Sequence, residues 1–386
     1  MLTKNIIYNK FKTDSNNLPT KKKVFKILNY YLSHKLVQSF SKNYKYSFEE
    51  SKINKLKKYS NYLVIGMGGS SLGIEAIYNF LKFKIKKKFL FLNNLNFDNF
   101  KNNKEKKLNI IISKSGNTLE TISNFNYLKN KKNNLFICEK SNNYLRNLAI
   151  QLKCEIIEHK NYIGGRYSVL SEVGMLPSIL MGLDHKKFKN LNYLVKQKNF
   201  INALTNSVSS TVDFAKKKKL NSIILNYDNK SEELFKWYQQ LIAESLGKKS
   251  QGFLPVISNM PKDNHSMMQL YLDGPKNSFY TFFDVIEKSE KIKNNNFILK
   301  SHKYLKNKSL FMIKSAQKEA TKKVFQKKNI PFRSFDVLQR SENSLGELFT
   351  FFMLETILLG RFLKVNPFDQ PSVELIKIQT KKILKN

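Results

Sequence analysis

Arginine is scarce in this chain. Only five of the 68 basic residues are Arg, and 29 acidic residues oppose them, which leaves a formal net charge of +39 over 386 residues. Sequence-specific nucleic-acid readers lean on arginine forks to read base edges. The shortage therefore argues against that class, although so positive a field attracts polyanions and small anions alike. Lys, Asn, Ile and Phe abound together instead, as expected where AT-rich codons drift onto tolerant surfaces. Cysteine is scarcer still. Cys138 and Cys154 form no CxxC pair and no disulfide framework, and read as free thiols in a reducing compartment. The five histidines (His34, His159, His185, His265, His302) have no HxH or HxxH spacing, so neither a metal centre nor another cofactor is expected. No apolar run is long enough for a membrane span, and Met1–Tyr30 lacks the apolar core of a signal peptide. The expectation is a cytoplasmic protein with no membrane and no specific nucleic-acid partner.

Hydrophobic residues make up 41% and charged residues 25%, ordinary for a folded soluble chain. Residues 1–55 are polar and Lys-rich, with one helical stretch near Val24–Phe40, and read as a helical lead-in. Short apolar runs then recur at Tyr62–Ile65, Phe89–Leu92, Asn109–Ser113, Leu135–Cys138 and Cys154–Glu158. Helical patterns alternate with several of them, at Leu72–Phe83 and Thr118–Leu128, and another, Ser168–Met181, follows the last. After a Lys/Asn-rich stretch near residues 186–202 the plan begins again, with strands at Ser222–Leu225, Gly252–Ile257 and Phe279–Val285. The matching helices are Glu232–Leu246, Ser309–Gln326, Leu345–Leu363 and a terminal Ser372–Leu384. Alternation of this kind predicts α/β architecture: two mostly parallel sheets flanked by helices, residues 56–195 and 196–386, closed by a C-terminal helix.

Two strand-to-helix turns carry anion chemistry. Gly66-Met67-Gly68-Gly69-Ser70-Ser71-Leu72-Gly73 puts glycines, which let backbone N–H groups approach an anion, ahead of a helix start. Its spacing is not that of a Walker A loop. Ser113-Lys114-Ser115-Gly116-Asn117-Thr118-Leu119-Glu120 offers hydroxyls and a lysine around one glycine, suited to a phosphate monoester; a plain N-cap is the bland alternative. Open α/β sheets place ligands at such strand ends.

The remaining candidates are single side chains in suggestive settings. Arg166 follows Gly164-Gly165 at a helix start, as a fixed cation for an oxyanion or as a surface arginine in a turn. Gln240 and Glu244 lie four apart on one helix face, where a carboxylate on an apolar segment can serve as a base, or simply pair with a lysine. His265 sits in the polar loop Asp263-Asn264-His265-Ser266. Pro371, Glu374 and Lys377 open the last helix.

Taken in order, GMGGSSLG, SKSGNTLET, GGRYSVLSEVG, WYQQLIAESLGK, DNHSMMQLYLDGP and NPFDQPSVELIK resemble the landmarks of the glucose-6-phosphate isomerase family, which is built from two sugar-isomerase (SIS) domains. They span about residues 60–380. The resemblance implies reversible aldose–ketose isomerisation of a hexose 6-phosphate through an enediol, without metal. It implies Glu244 as the base, His265 and Lys377 in ring opening, and Arg166 as enediolate stabiliser. Gly69, Ser70, Ser113, Lys114, Ser115, Thr118, Gln240 and Gln370 fall at substrate and phosphate contacts. It further implies a homodimer in which His265 reaches the site from the neighbouring subunit. Departures are modest: Ser71 stands where many members have Asp, and Ser372 and Ile376 replace glycines near the terminal lysine. The chain is also shorter than most members, chiefly at its start.

Overall fold

The computed structural model describes residues 1–12, 21–95, 107–128, 132–287 and 298–385. Among these residues ten strands form two five-stranded sheets: β1 (Ile6–Asn9), β2 (Asn61–Ile65), β3 (Lys88–Leu92), β4 (Lys107–Ile112), β5 (Asn134–Cys138), β6 (Glu155–Glu158), β7 (Asn221–Asn226), β8 (Leu254–Asn259), β9 (Ser278–Val285) and β10 (Phe332–Val337). The first sheet runs β3-β2-β4-β5-β6, all parallel. Its central strands are apolar on both faces because helices cover both: Leu63, Val64, Ile65, Ile110, Ile111 and Ile112 are wholly buried.

The second sheet runs β8-β7-β9-β10-β1, the same plan, with its fifth place taken by β1 from the start of the chain. That strand pairs antiparallel with β10, Ile6 opposite Val337 and Asn9 opposite Ser334. The lead-in thus completes the second sheet, a role its Lys-rich composition did not suggest. Its helical stretch is also interrupted: helices cover Lys21–Leu32 and Lys35–Gln38, with His34 Nδ1 accepting from the Leu36 amide as a cap between them.

Two helices hold the units together. Glu342–Phe362 is buried on nearly every face, as a helix enclosed by other elements must be. Glu232–Leu246 packs on it, and also on Leu72–Phe80 of the first unit. The helix that carries Gln240 and Glu244 therefore spans the junction between units. Both cysteines are free thiols. Among the described residues no helix is long and apolar enough to cross a membrane.

Candidate active site

Both glycine-bearing turns sit at the C-terminal edge of the first sheet, on either side of the point where strand order reverses, between β2 and β4. Gly68 holds φ +53°, a left-handed conformation that glycine adopts without steric cost. A Cβ there would lie 2.7 Å from Gln240 Nε2, and one on Gly69 would lie 2.1 Å from the Gly165 carbonyl carbon. These two glycines let the first turn press against the Arg166 turn and the Glu244 helix. Gly66 packs beside the Ile112 carbonyl, the last residue of β4, so the two turns are neighbours.

In the second turn the Ser113 and Thr118 hydroxyls bond each other at 2.8 Å. Thr118 occupies the N-cap position of the helix Leu119–Tyr127, yet its side chain makes no cap bond. Ser71 likewise fails to cap Leu72–Phe80. Two helix starts therefore carry amides without side-chain caps beside the turns, the arrangement that suits an anion. Ser115 is exposed and accepts from the Asn117 amide. The Lys114 ammonium turns aside, donating to the Asn161 carbonyl at 2.7 Å and lying 3.5 Å from Glu139. Ser70 is half-buried in the first turn.

Arg166 is the centre of the site. Its side chain is 2% exposed, and all five guanidinium donors are used. Nε donates to Ser245 Oγ (2.8 Å). Nη1 donates to Glu244 Oε2 and Gln370 Oε1 (3.1 Å each), and Nη2 to the Pro367 and Asp369 carbonyls (2.7 and 2.9 Å). Its own carbonyl accepts from Trp237 Nε1. The second Glu244 oxygen accepts from Gln240 Nε2 at 2.8 Å, while Gln240 Oε1 is buried without a partner. A buried acceptor left unpaired costs free energy unless something else supplies a donor.

The structure thus joins Arg166, Glu244, Gln240, Gln370 and Gly69, with Ser113 and Thr118 in the adjacent turn. It does not join His265 or Lys377 to them. His265 lies exposed just after β8, at the end of the turn Lys262–Asn264. Lys377, 59% exposed, pairs with Glu374 on a terminal helix (Val373–Ile383) that has no buried residue.

Three contributors were not anticipated. Ser245 and Tyr167 are wholly buried and bond each other at 2.9 Å beside Arg166; burial pushes the Tyr167 phenol up to about 12. Lys248 donates to the Asn366 and Asp369 carbonyls and pairs with the Asp369 carboxylate at 2.7 Å. This bond holds the Asp369 carboxyl below its usual range. Burial lowers the Lys248 ammonium, with Asp369 opposing that shift. All three lie within or beside segments already singled out, GGRYS and AESLGK; adjacency to Arg166 and Glu244 was the available signal.

The phosphoglucose isomerase family model matches residues 33–386. The chain belongs to the phosphoglucose isomerase family. Curated relatives agree: it is 32% identical over 355 residues to the glucose-6-phosphate isomerase of Methanocaldococcus jannaschii, covering 84% of each chain. It is 30% identical over 347 residues to a probable glucose-6-phosphate isomerase of Methanococcus maripaludis, covering 82% of this chain and 77% of that one. Among solved structures, a hypothetical protein from Thermus thermophilus has the same fold, with TM-score 0.82, 22% identity and 95% coverage of both chains. A glucose-6-phosphate isomerase from Chlamydia trachomatis shares the fold at TM-score 0.72 and 19% identity, covering 87% of this chain and 72% of that one. The isomerase family's two-unit α/β plan is therefore present here, built on two SIS-type sheets.

Proposed function

We propose that this enzyme interconverts glucose 6-phosphate and fructose 6-phosphate, with Glu244 moving a proton between C2 and C1. The observation that carries this reading is the Glu244 carboxylate itself. It is held between Arg166 and Gln240 on the helix that spans the two units, beside two glycine turns fit for a phosphate. In the open-chain sugar, Glu244 takes the C2 proton, the C–H electron pair becomes the C1=C2 bond, and charge gathers on O1. Moving the O2 proton to O1 and returning the carried proton to C1 gives the ketose. No electrons enter or leave, so the step needs no redox partner.

Because every Arg166 donor is occupied, a developing oxyanion reaches Nη1 by displacing the Gln370 amide oxygen, the exposed one of its two Nη1 partners. The unpaired Gln240 Oε1 accepts a sugar hydroxyl. Ser113, Ser115, Thr118 and the uncapped amides hold the phosphate, with Ser70 and Gly69 along the sugar and Lys114 swinging from Asn161. Binding energy gathered at the phosphate orients C1 and C2 against Glu244.

Ring opening belongs to His265 and Lys377. A homodimer supplies His265 from the neighbouring subunit, which fits its exposure. The division at residues 55 and 195 separates lead-in, first unit and second unit, and the cytoplasm is the setting. The test is a coupled assay with glucose 6-phosphate and added chelator. Solvent hydrogen should enter the product, fructose 6-phosphate, at C1, and chelator should leave the rate unchanged. Equal or faster turnover of mannose 6-phosphate would move the reading to a broader hexose-phosphate isomerase.

A further inference from the structure

Arg166 and three groups around it close a hydrogen-bonded ring with one self-consistent direction. The Pro367 carbonyl cannot donate, so the Tyr167 hydroxyl gives it its only proton, at 3.1 Å. The 2.9 Å bond between Tyr167 and Ser245 must then be donated by Ser245. Ser245 Oγ in turn accepts from Arg166 Nε at 2.8 Å. Arg166 Nη2 returns to the same Pro367 carbonyl at 2.7 Å. Every member is buried, and the raised Tyr167 phenol remains a donor at neutral pH. The Arg166 guanidinium also lies over the Tyr167 ring, 5.4 Å from its centroid.

A guanidinium is planar, so fixing Nε and Nη2 fixes the direction of the remaining edge. That edge is Nη1, which faces Glu244 and Gln370. We infer that Ser245 and Tyr167 are positioning residues for the isomerisation: through this ring they aim Arg166 Nη1 at the place where charge develops on the sugar. The inference rests on the assignment of Arg166 and Glu244 made above. Neither Ser245 nor Tyr167 needs to touch substrate. In the ring, breaking one link loses the alignment, so a second break adds nothing.

The experiment is a kinetic double-mutant cycle on the full chain with Ser245→Ala and Tyr167→Phe, beside Glu244→Gln. Each single variant should lose about tenfold in kcat, as expected when a positioned group is misaligned by a fraction of an ångström. KM should stay within about twofold, because the phosphate turns are untouched. The double variant should be no worse than the poorer single one. Ser245→Cys, which keeps a weak donor and acceptor in the same volume, should recover part of the Ser245→Ala loss. This variant also carries the test if Tyr167→Phe does not fold. Wild-type kcat in folded Ser245→Ala, losses that multiply in the double variant, or no difference between Cys and Ala at position 245 would each overturn the ring. A Glu244→Gln enzyme with full turnover would instead remove the mechanism beneath it, so the two failures are distinguishable.

Discussion

The two sheets share a strand order, β2 with its neighbours matching β7 with its own, but their C-terminal edges carry opposite chemistry. In the first unit the strand ends lead into glycines, hydroxyls and helix starts without side-chain caps. In the second, they carry acids and bases that neutralise one another. Arg340 grips Asp228 through two bonds, 3.1 and 2.7 Å, and adds Glu287 at 2.8 Å. Asp284 of β9 lies directly across from Asp336 of β10. Lys318 bridges that pair of like charges at 2.8 and 2.7 Å, with Lys314 also on Asp284. The charges that pair across the first edge, Lys114 and Glu139, are partly exposed. The second edge pairs buried acids and bases and, among the described residues, leaves neutral groups such as the Asn226 and Asn259 amides with an unpartnered atom. Equal folds therefore do not imply equal sites, and side chains at the strand ends decide which edge can bind.

The largest expected effect breaks the first edge. Glu244→Gln removes the proposed base and should lower kcat by about 1,000-fold, within the range of acid–base contributions, while equilibrium binding of the phosphosugar survives. Turnover near wild type would sink the assignment. Arg166→Lys replaces a five-donor fork with a point charge and should cost about 100-fold in kcat, measured under saturating substrate. Ser113→Ala loses one hydroxyl of the turn proposed for the phosphate, and its bond to Thr118. KM should rise about tenfold, or about 1.4 kcal/mol, and an unchanged KM would detach that turn from the phosphate.

The second edge supplies the contrast. Lys318→Met leaves Asp284 and Asp336 facing each other in a buried setting. It should lower stability by about 3 kcal/mol in denaturant melts, yet alter KM by less than about twofold. A large KM change would show that the second edge takes part in binding after all. A last effect, small near neutral pH, lies in neither edge. Lys189 is buried, donates to the Ser39 carbonyl at 2.8 Å, and lies over the Tyr44 and Tyr46 rings. Burial lowers its ammonium to about 7 from 10.5, partly opposed by Glu172. Between those values the unfolded chain holds the proton and the folded one has released it. Stability should therefore rise with pH from about 7 toward 10.5, and Lys189→Met should flatten that rise in thermal melts. A slope unchanged in the variant would assign it to other groups.

Much of the fold was legible because buried parallel strands are continuous apolar runs, as β2 and β4 are. What escaped did so for definite reasons. β10, absent from the strand candidates, carries Arg333 and Asp336, which interrupt its apolar pattern; both are buried, paired with Glu355 and Lys318. β1 is four residues long and is completed only by pairing with a strand more than 300 residues away. The helix Lys198–Lys216 is rich in Asn, Ser and Thr, poor helix formers, and is held by burial of Phe200, Leu204, Val208, Val212 and Phe214. At the site, Glu244, Arg166, Gln240 and Gln370 were legible from the segments that contain them, and the structure joins them. His265 and Lys377 were legible in the same way, but a single chain leaves both at its surface.

Local sequence by itself determined which chemical groups stand at each strand end and in what order: glycine turns, a hydroxyl turn, an arginine, a glutamate. Strand–turn–helix patterning acts over a few residues, so it can be read without neighbours. Only the tertiary structure decided that Arg166 has no donor to spare, that Gln240 keeps an unpaired oxygen, and that the charges at the second edge pair with one another. Those facts depend on partners 78 and 204 residues from Arg166. Hydrogen bonds are satisfied by whatever packing brings within about 3 Å, not by what is adjacent along the chain.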